Sequence, residues 1–443
     1  MLIHQFEDKN LAHYSYAIVS NGEMAVIDPA RNPQPYYDFA ISQKAKITTV
    51  IETHPHADFV SSHLEIHRSA GATIYVSRLL GAEYPHQGFD EGQAIVLGGV
   101  TLKALNTPGH SPDSISIVLF DEQGKEHAVF TGDTLFIGDC GRPDLREAAG
   151  AITAAREELA KQMYHSLREK LTPLPDSVLV YPAHGAGSLC GKGLSKQNVS
   201  TMGAEKLGNW SLQPATEAEF VKNLLADQPF VPKYFPYAVG INKHGADNFR
   251  DSIQRVKRVP LPEKTDRTII DARPERLFKK GHHKGAINLM RDTKFETWLG
   301  AIVNPGEPFY LVAENDDILN ELIERIARVG YETQIAGASV DAEGPHEMNI
   351  FDPELLRKTE EAFTILDIRN PSEVKASRIF KKAIHIPLYE LRERVAEIPT
   401  DKPVVVHCAG GYRSAAGSTI VRSALHGSVP VFDLSDAVKT FQE

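Results

Sequence analysis

The chain has 443 residues, of which 42% are hydrophobic and 24% charged, with a formal net charge of −10. This length predicts about three domains, and the negative charge argues against nucleic acid or an anionic membrane as a partner. No run of about 18 apolar residues predicts a membrane span, and the first residues lack the pattern of a signal peptide. Three widely spaced cysteines exclude a disulfide framework. They fit a reducing cytosol, so we expect a cytoplasmic protein.

To about residue 205, short apolar strands alternate with turns, and several strands stop directly at a loop that carries His or Asp. Apolar segments with strand character occur at Met24–Asp28, Thr48–Glu52, Thr101–Asn106, Ile115–Phe120, His127–Thr131 and Val178–Tyr181. We expect helices at about residues 60–70 and at Glu217–Leu225. A Pro-rich segment near residues 259–267 is typical of a linker.

An internal repeat follows this linker. The segment TIIDARPERLF begins at Thr268, and TILDIRNPSEV begins at Thr364, a period of roughly 95 residues. Each copy predicts strand, loop, helix, strand and helix, which indicates two small parallel α/β domains. The aligned strands PFYLVA and PVVVHC end at Ala313 and Cys408. We therefore predict three domains, over residues 1–250, 260–350 and 355–443.

Four short motifs in the first domain each follow an apolar strand. Loops that converge from several strand ends would gather their side chains around one point. The side chains are His54, His56 and Asp58 of H-P-H-A-D, His110 of P-G-H, Asp133 of G-D and His184 of P-A-H. Imidazole and carboxylate ligands without thiolates favour a first-row metal over a structural zinc.

This series of motifs resembles the metallo-β-lactamase superfamily over roughly residues 1–240, which implies an αββα sandwich. Two-metal members, such as glyoxalase II-like thioesterases, have H-x-H-x-D-H, but this chain has Phe59 in the final position. Phe cannot bind a metal, so a 2-His-1-carboxylate face remains, which suits non-heme Fe(II) and O2. The persulfide dioxygenase branch holds iron at these positions, and the resemblance implies one Fe(II) per chain. The expected ligands are His54, His110 and Asp133, and the residues expected to orient them are His56, Asp58 and His184.

The resemblance to that branch extends to G-D-C-G-R-P-D and M-Y-H-S, which contain Arg142 and Tyr164. It implies that both residues lie near a thiol substrate, Arg142 as a fork for a carboxylate or phosphate. The alternatives are an arginine that binds loop carbonyls and a tyrosine of the core. Glutathione-using enzymes carry a tyrosine where this chain has Ala186. A Gly-rich stretch beside Lys192 leads to the hypothesis of a bulkier carrier, such as coenzyme A.

The second chemical motif is an apolar strand, Val404 to His407, that runs into Cys408 and a Gly-rich turn before a helix from about residue 414. Backbone N–H groups of such a turn form an anion-binding nest, which favours a thiolate. Four residues separate Cys408 from Arg413, which resembles rhodaneses, whereas protein phosphatases have five. We predict catalytic roles for Cys408 and Arg413. The predicted substrate-binding residues are Ala409, Gly410, Gly411 and Tyr412.

The alternative for this cysteine is a buried, inert thiol. Asp367 also matches the rhodanese pattern, in a structural role. In the first copy Ala313 is followed by acidic residues. We expect that copy to be inactive and to serve as a spacer or docking surface.

The whole chain resembles bacterial persulfide dioxygenase–sulfurtransferase fusions. The resemblance implies that iron and O2 oxidise a thiol persulfide to sulfite, and that Cys408 then transfers sulfane sulfur to sulfite, which gives thiosulfate. One alternative is a dinuclear zinc thioester hydrolase with accessory sulfurtransferase domains. Another is a non-catalytic sulfur-relay protein. The sequence does not decide whether the chain forms a homo-oligomer.

Overall fold

The computed structural model describes residues 1–145, 156–340 and 344–442, which fall into two compact units. One unit comprises Met1–Ser252 with Ala327–Gly330, and the other comprises Ile253–Ile326 with Tyr331–Glu443. None of the helices in the described ranges combines the length and the apolar character that crossing a bilayer requires.

Two six-stranded sheets form the centre of the first unit. The first sheet contains, in spatial and chain order, β1 Leu2–Asp8, β2 His13–Ser20, β3 Glu23–Ile27, β4 Lys46–Ile51, β5 Thr73–Val76 and β6 Gln87–Gly88. The later strands are β7 Ala94–Leu97, β8 Val100–Asn106, β9 Ile115–Phe120, β10 Glu126–Gly132, β11 Leu135–Phe136, β12 Asp139–Cys140, β13 Leu179–Pro182 and β14 Ser200–Thr201. The second sheet has the order β14-β13-β10-β9-β8-β7, and β11 pairs with β12 in a separate hairpin.

Helices cover the outer faces of both sheets. They are α1 Gln34–Ser42, α2 His63–Ala70, α3 Arg156–His165, α4 Met202–Gly208, α5 Glu217–Leu225, α6 Phe235–His244 and α7 Phe249–Gln254. Ile18 and Ile117 belong to an apolar layer between the two sheets. Ile66 of α2 packs on the outer face of the first sheet, and Phe220 of α5 packs on that of the second. The predicted αββα sandwich is confirmed.

Helix α2 begins later than the apolar pattern predicts, at His63 instead of residue 60. The preceding residues bind other parts of the unit. The Ser61 N–H donates to Asn242 Oδ1 at 2.8 Å, and the Ser62 hydroxyl donates to the Ala30 carbonyl at 2.6 Å. These tertiary hydrogen bonds hold residues 61 and 62 to other parts of the unit, in a path that is not helical.

Two four-stranded parallel sheets form the second unit, with the same topology. The first contains β15 Thr268–Asp271, β16 Ile287–Asn288, β17 Phe309–Val312 and β18 Ile335–Ser339, in the order β16-β15-β17-β18. The second contains β19 Thr364–Asp367, β20 Ile384–His385, β21 Val404–His407 and β22 Val431–Asp433, in the order β20-β19-β21-β22. The helices are α8 Glu275–Lys280, α9 Phe295–Ile302, α10 Asp316–Arg328, α11 Pro353–Thr359, α12 Pro371–Ala376, α13 Leu391–Arg394 and α14 Tyr412–Ala424.

The same ion pair follows the central strand of each repeat. Arg273 pairs with Asp271 and Arg369 pairs with Asp367, with shortest N–O distances of 2.6 and 2.7 Å. Each arginine also donates to a backbone carbonyl eight residues further on, at Gly281 and Ser377. The repeat predicted from the sequence is thus a structural repeat, while the three domain boundaries remain predictions.

Arg325 and Glu296 form a buried ion pair in the first repeat, with exposed side-chain fractions of 4% and 0%. Replacing Arg325 by Leu removes the guanidinium that pairs with the buried carboxylate of Glu296. We expect the unfolding free energy of this unit to fall by about 3–5 kcal/mol. Equilibrium urea unfolding, followed by Trp298 fluorescence in a Trp210→Phe background, measures the change.

The matched control is Arg291→Leu. Both side chains of its ion pair are exposed, Arg291 to 46% and Glu321 to 39%. The loss of unfolding free energy should therefore be about 0–1 kcal/mol. Equal losses of unfolding free energy in the two variants would contradict the conclusion that burial makes the pair of Arg325 and Glu296 the more costly one to break.

Candidate metal centre and sulfur-transfer loop

Three loops at the ends of β4, β8 and β10 bring His54, His110 and Asp133 together, and all three side chains are buried. Asp133 Oδ2 lies 3.7 Å from His54 Nε2 and 3.5 Å from His110 Nε2. Among the described residues, neither His54 Nε2 nor Asp133 Oδ2 has a hydrogen-bond partner. Buried polar atoms without partners are rare, and two nitrogens facing one carboxylate oxygen fit a bound cation.

The electrostatics of these groups favour the protonation states that metal binding requires. Burial lowers the pKa of His54 and of His110 below the usual value, so both rings are held neutral. Burial alone would raise the pKa of Asp133, but the charge and hydrogen bond of His184 lower it well below its usual range. Neutral imidazoles and an ionised carboxylate are the forms that bind metals.

His184 lies between two carboxylates. Its Nδ1 lies 2.7 Å from Asp133 Oδ1, and its Nε2 lies 2.8 Å from Asp58 Oδ2. Burial opposes its protonation, but Asp133 and Asp58 raise the pKa of His184 well above its usual value. The ring therefore holds one oxygen of Asp133 and leaves Oδ2 directed at the histidines. His184 contacts both Asp133 and Asp58, and the orienting role predicted for His184 and Asp58 remains a prediction.

Phe59 fills the space beside this cluster with apolar surface. Its ring centroid lies 3.9 Å from that of His13, 4.4 Å from that of His56 and 6.4 Å from that of His184. His13 is a buried residue that sequence reasoning did not anticipate. It enters the site because His13 and His184 form an isolated β-bridge, a pairing between residues remote in the chain.

Asp28 and Thr53 support His54 from the side away from Asp133, and sequence reasoning missed both roles. Asp28 Oδ1 accepts the Thr53 N–H at 2.7 Å, and Oδ2 accepts the Thr53 hydroxyl at 2.9 Å. The hydroxyl oxygen lies 3.0 Å from His54 Nδ1. The Thr53 hydroxyl has one proton and donates it to Asp28. The hydrogen bond between Thr53 and His54 must therefore use a proton on Nδ1 of His54, which leaves Nε2 free to bind a metal.

Asp28 also contacts His56, whose Nε2 lies 3.3 Å from Asp28 Oδ1. Asp28 adopts a positive φ of 50°, a conformation uncommon outside glycine. Its position at a strand end, like the motif residues, was the available sequence signal.

Cys190 is a further residue that the motifs did not indicate. Its sulfur lies within 4.8 Å of ligand atoms of Asp58 and His184, and all three residues are buried. Burial raises the pKa of the Cys190 thiol well above its usual value. Only its place six residues after His184 could have indicated this position.

The side chains expected near the thiol substrate have partners within the fold. Arg142 is buried and donates to both oxygens of Asp144, at 2.7 and 2.6 Å, and to the Leu189 carbonyl. Tyr164 donates to the Ala215 carbonyl at 3.1 Å. These are the structural roles that the sequence left open as alternatives, and contact of either residue with substrate remains a prediction.

The ammonium group of Lys192, considered for a phosphorylated carrier, donates to the Asn223 and Ala226 carbonyls at 2.6 and 2.9 Å. Gly141, beside Arg142, packs against the metal centre. A Cβ atom there would lie 1.9 Å from the Asp133 carbonyl oxygen and 3.0 Å from His110 Nδ1. The close approach of this loop to two expected ligands therefore requires glycine.

Cys408 follows β21 and is buried, and the Gly411 N–H donates to its sulfur at 3.2 Å. Gly411 has a φ of 102°, and a Cβ atom there would lie about 3 Å from the backbone of Ser435 and Asp436. Helix α14 begins directly afterwards, at Tyr412. This start places the helix N-terminus and the turn on the same side as the thiol, as an anion-binding nest requires.

Both terminal nitrogens of Arg413 have a partner within the fold. Its Nη1 and Nη2 donate to the two carboxylate oxygens of Glu373, at 2.5 and 2.7 Å. In the first repeat, Ala313 follows β17 as Cys408 follows β21. The strand registers agree, since Asp271 pairs with Val312 and Asp367 pairs with His407. The equivalent loop of that repeat therefore has no nucleophile.

These features define a metal-binding sandwich protein with a separate cysteine loop, and comparisons with known proteins agree. Residues 9–184 match the metallo-beta-lactamase superfamily, and residues 352–443 match the rhodanese-like domain. The mitochondrial persulfide dioxygenase ETHE1 of Mus musculus is 32% identical over 232 residues, which cover 50% of this chain and 79% of that protein.

Two further relatives cover other shares of the chain. A cytoplasmic hydroxyacylglutathione hydrolase of Arabidopsis thaliana is 34% identical over 39% of this chain and 63% of its own length. The crystal structure of a metallo-beta-lactamase from Staphylococcus aureus subsp. aureus COL is 34% identical. It superposes with a TM-score of 0.69 over 76% of this chain and 98% of that one. The chain belongs to the persulfide dioxygenase family within the metallo-beta-lactamase superfamily, with a rhodanese-like domain in the same polypeptide.

Thr53→Val keeps the shape of the side chain but removes the hydroxyl between Asp28 and His54. Because the tautomer and orientation of His54 are then no longer fixed, we expect metal affinity to fall roughly 10- to 100-fold. Thr53→Ser keeps the hydroxyl and should bind as the wild type does. Chelator competition with Fe(II) measures the affinity. Wild-type affinity in the valine variant would contradict the role of Thr53.

Proposed function

We propose that this protein oxidises low-molecular-weight thiol persulfides with O2 to sulfite at a mononuclear iron centre. It then uses Cys408 to transfer sulfane sulfur to sulfite, which gives thiosulfate. The observation that carries the first part is the convergence of His54, His110 and the partnerless Oδ2 of Asp133 at one buried point. Two imidazoles and one carboxylate, with the remaining positions open, form the ligand set typical of non-heme Fe(II) oxygenases.

At this centre, Fe(II) would supply the electron transfer to O2 that closed-shell side chains cannot provide. The overall reaction, R-S-SH + O2 + H2O → R-SH + SO3²⁻ + 2 H⁺, is balanced in atoms and charge. His54, His110 and Asp133 would hold the ion. His184 fixes the Asp133 carboxylate through Oδ1, and Phe59 excludes water from the apolar side of the site.

The main alternative function is that of a dinuclear zinc thioester hydrolase. The similarity to a hydroxyacylglutathione hydrolase is the observation in its favour. Phe59 argues against it, because its ring packs where a further imidazole ligand would be needed. Cys190 is a nearby residue that could complete a second site with Asp58 and His184. Burial, however, disfavours the thiolate form that binds metals.

The second reaction would proceed in two steps at Cys408. The Cys408 thiolate attacks the outer sulfur of a persulfide, forms a new S–S bond and expels the carrier thiolate. Sulfite then attacks the outer sulfur of the Cys408 persulfide, which releases thiosulfate and restores the thiolate. The Gly411 N–H, which donates to the sulfur, supports the thiolate in both steps. Sulfite produced at the first centre is the acceptor at the second.

Cys408→Ser should retain oxygen uptake with a persulfide substrate but release sulfite in place of thiosulfate. The reason is that the metal ligands belong to the first unit and the nucleophile to the second. Oxygen electrode traces and chromatography of the sulfur oxyanions measure both outcomes.

The matched control is Cys140→Ala. Its thiol is buried in an apolar cluster and should not contribute to either reaction. Loss of oxygen uptake in Cys408→Ser would contradict two separate centres. Absence of sulfite and thiosulfate from the wild type would favour a sulfur-relay protein.

A further inference from the structure

Helix α9 of the first repeat lies beside the residues that follow the Cys408 loop. All eight residues of α9 are buried. Its Trp298 faces the guanidinium of Arg413, with 5.7 Å between the ring centroid and Cζ. The hydroxyl of Tyr412 is buried, and its surroundings include Arg325 of the first repeat. Residues of the first repeat, which lacks a nucleophile, therefore lie against the start of helix α14.

Arg413 is held from two directions. Glu373 of the second repeat binds both terminal nitrogens of its guanidinium, and the guanidinium lies over the Trp298 ring of the first repeat. A planar cation between a carboxylate and an aromatic face is strongly fixed, because both contacts depend on its orientation. The two terminal nitrogens of Arg413 are thus engaged with Glu373, which fits a positioning role.

The position of Arg413 is transmitted to the thiol over a very short distance. Arg413 is the second residue of α14, and Gly411 immediately precedes that helix. The Ser414 hydroxyl donates to the Gly411 carbonyl at 3.0 Å, while the Gly411 N–H donates to Cys408 Sγ. A shift in the first turn of α14 would therefore move the donor that supports the thiolate.

The geometry points to a role for the first repeat as a working part of the sulfur-transfer site. Trp298 and Glu373 act as positioning residues that clamp Arg413, and through it the Cys408 loop, in the conformation that stabilises the thiolate. This inference rests on the proposed role of Cys408 as the nucleophile. It replaces the expectation that the first copy is only a spacer or a docking surface, and it assigns Arg413 to positioning.

The test compares Trp298→Leu, Trp298→Phe and Glu373→Gln in the full-length protein. Two readouts are used: the pH dependence of Cys408 alkylation by iodoacetamide, and kcat and KM for sulfur transfer from a persulfide to sulfite. Loss of the aromatic face or of the carboxylate should displace the first turn of α14 and slow alkylation at neutral pH roughly five- to thirtyfold. We expect kcat to fall more than KM changes. Trp298→Phe keeps an aromatic face and should stay close to the wild type.

Arg392→Leu is the matched control. Arg392 also joins the two repeats, through two 2.9 Å contacts with Glu307 and one with the Ile302 carbonyl at the end of α9. Among the described residues, none of its hydrogen bonds reaches the Cys408 loop. It should lower thermal stability without changing alkylation. Because these residues belong to the second unit, circular dichroism and the thermal unfolding transition of the full-length protein report whether each variant is folded.

Wild-type alkylation and transfer in Trp298→Leu, or an equal change in Arg392→Leu, would overturn the inference. If Trp298→Leu fails to fold, wild-type behaviour of Glu373→Gln would overturn it. A wild-type protein that is alkylated at Cys408 but transfers no sulfur would refute the proposed function and not the inference. The comparison of alkylation rates would still decide the role of Trp298.

Discussion

The contact between His184 and Asp133 determines how the rest of the first site is arranged. A carboxylate has two oxygens, and His184 occupies one of them at 2.7 Å. The other oxygen is thereby left for His54 and His110, at distances that fit a shared ion. Without this division, the carboxylate could rotate and satisfy both oxygens through the surrounding histidines. The same imidazole reaches Asp58, so a single ring lies between two acidic groups in a buried space.

Both candidate sites place their reactive groups where a strand ends, but they support them by different means. At the metal centre, side chains orient other side chains: Asp28 acts on His54 through the Thr53 hydroxyl. At the cysteine loop, the backbone itself is the binding element, since the Gly411 N–H meets the sulfur. The first kind of site tolerates little change in side-chain length. The second depends on the path of the loop, which neighbouring elements must hold.

Local patterns were sufficient to predict much of the fold. Strand Ile115–Phe120 and helix Glu217–Leu225 lie where their apolar periodicity predicts, and the repeat at Thr268 and Thr364 corresponds to two sheets of one topology. The predicted start of α2 was wrong, because hydrogen bonds to Asn242 and Ala30 hold the preceding residues in a path that is not helical. Tertiary partners of this kind leave no local pattern in the sequence.

The same limit applies to the sites. The motifs predicted His54, His110 and Asp133 as a group, and these side chains do converge. The position of His13 could not be predicted, since it depends on a pairing between distant parts of the chain. Likewise, the partner of Arg413 lies 40 residues earlier in the chain. It belongs to a different helix, so loop length alone could not reveal that the guanidinium is already engaged.

The central claim is that a single iron ion at His54, His110 and Asp133 oxidises a persulfide. The most direct measurement combines metal analysis of the purified protein with oxygen uptake in the presence of a thiol persulfide. The account predicts one iron per chain and the consumption of one O2 for each sulfite formed in the Cys408→Ser protein. Two zinc ions per chain, with thioester hydrolysis and no oxygen uptake, would contradict it.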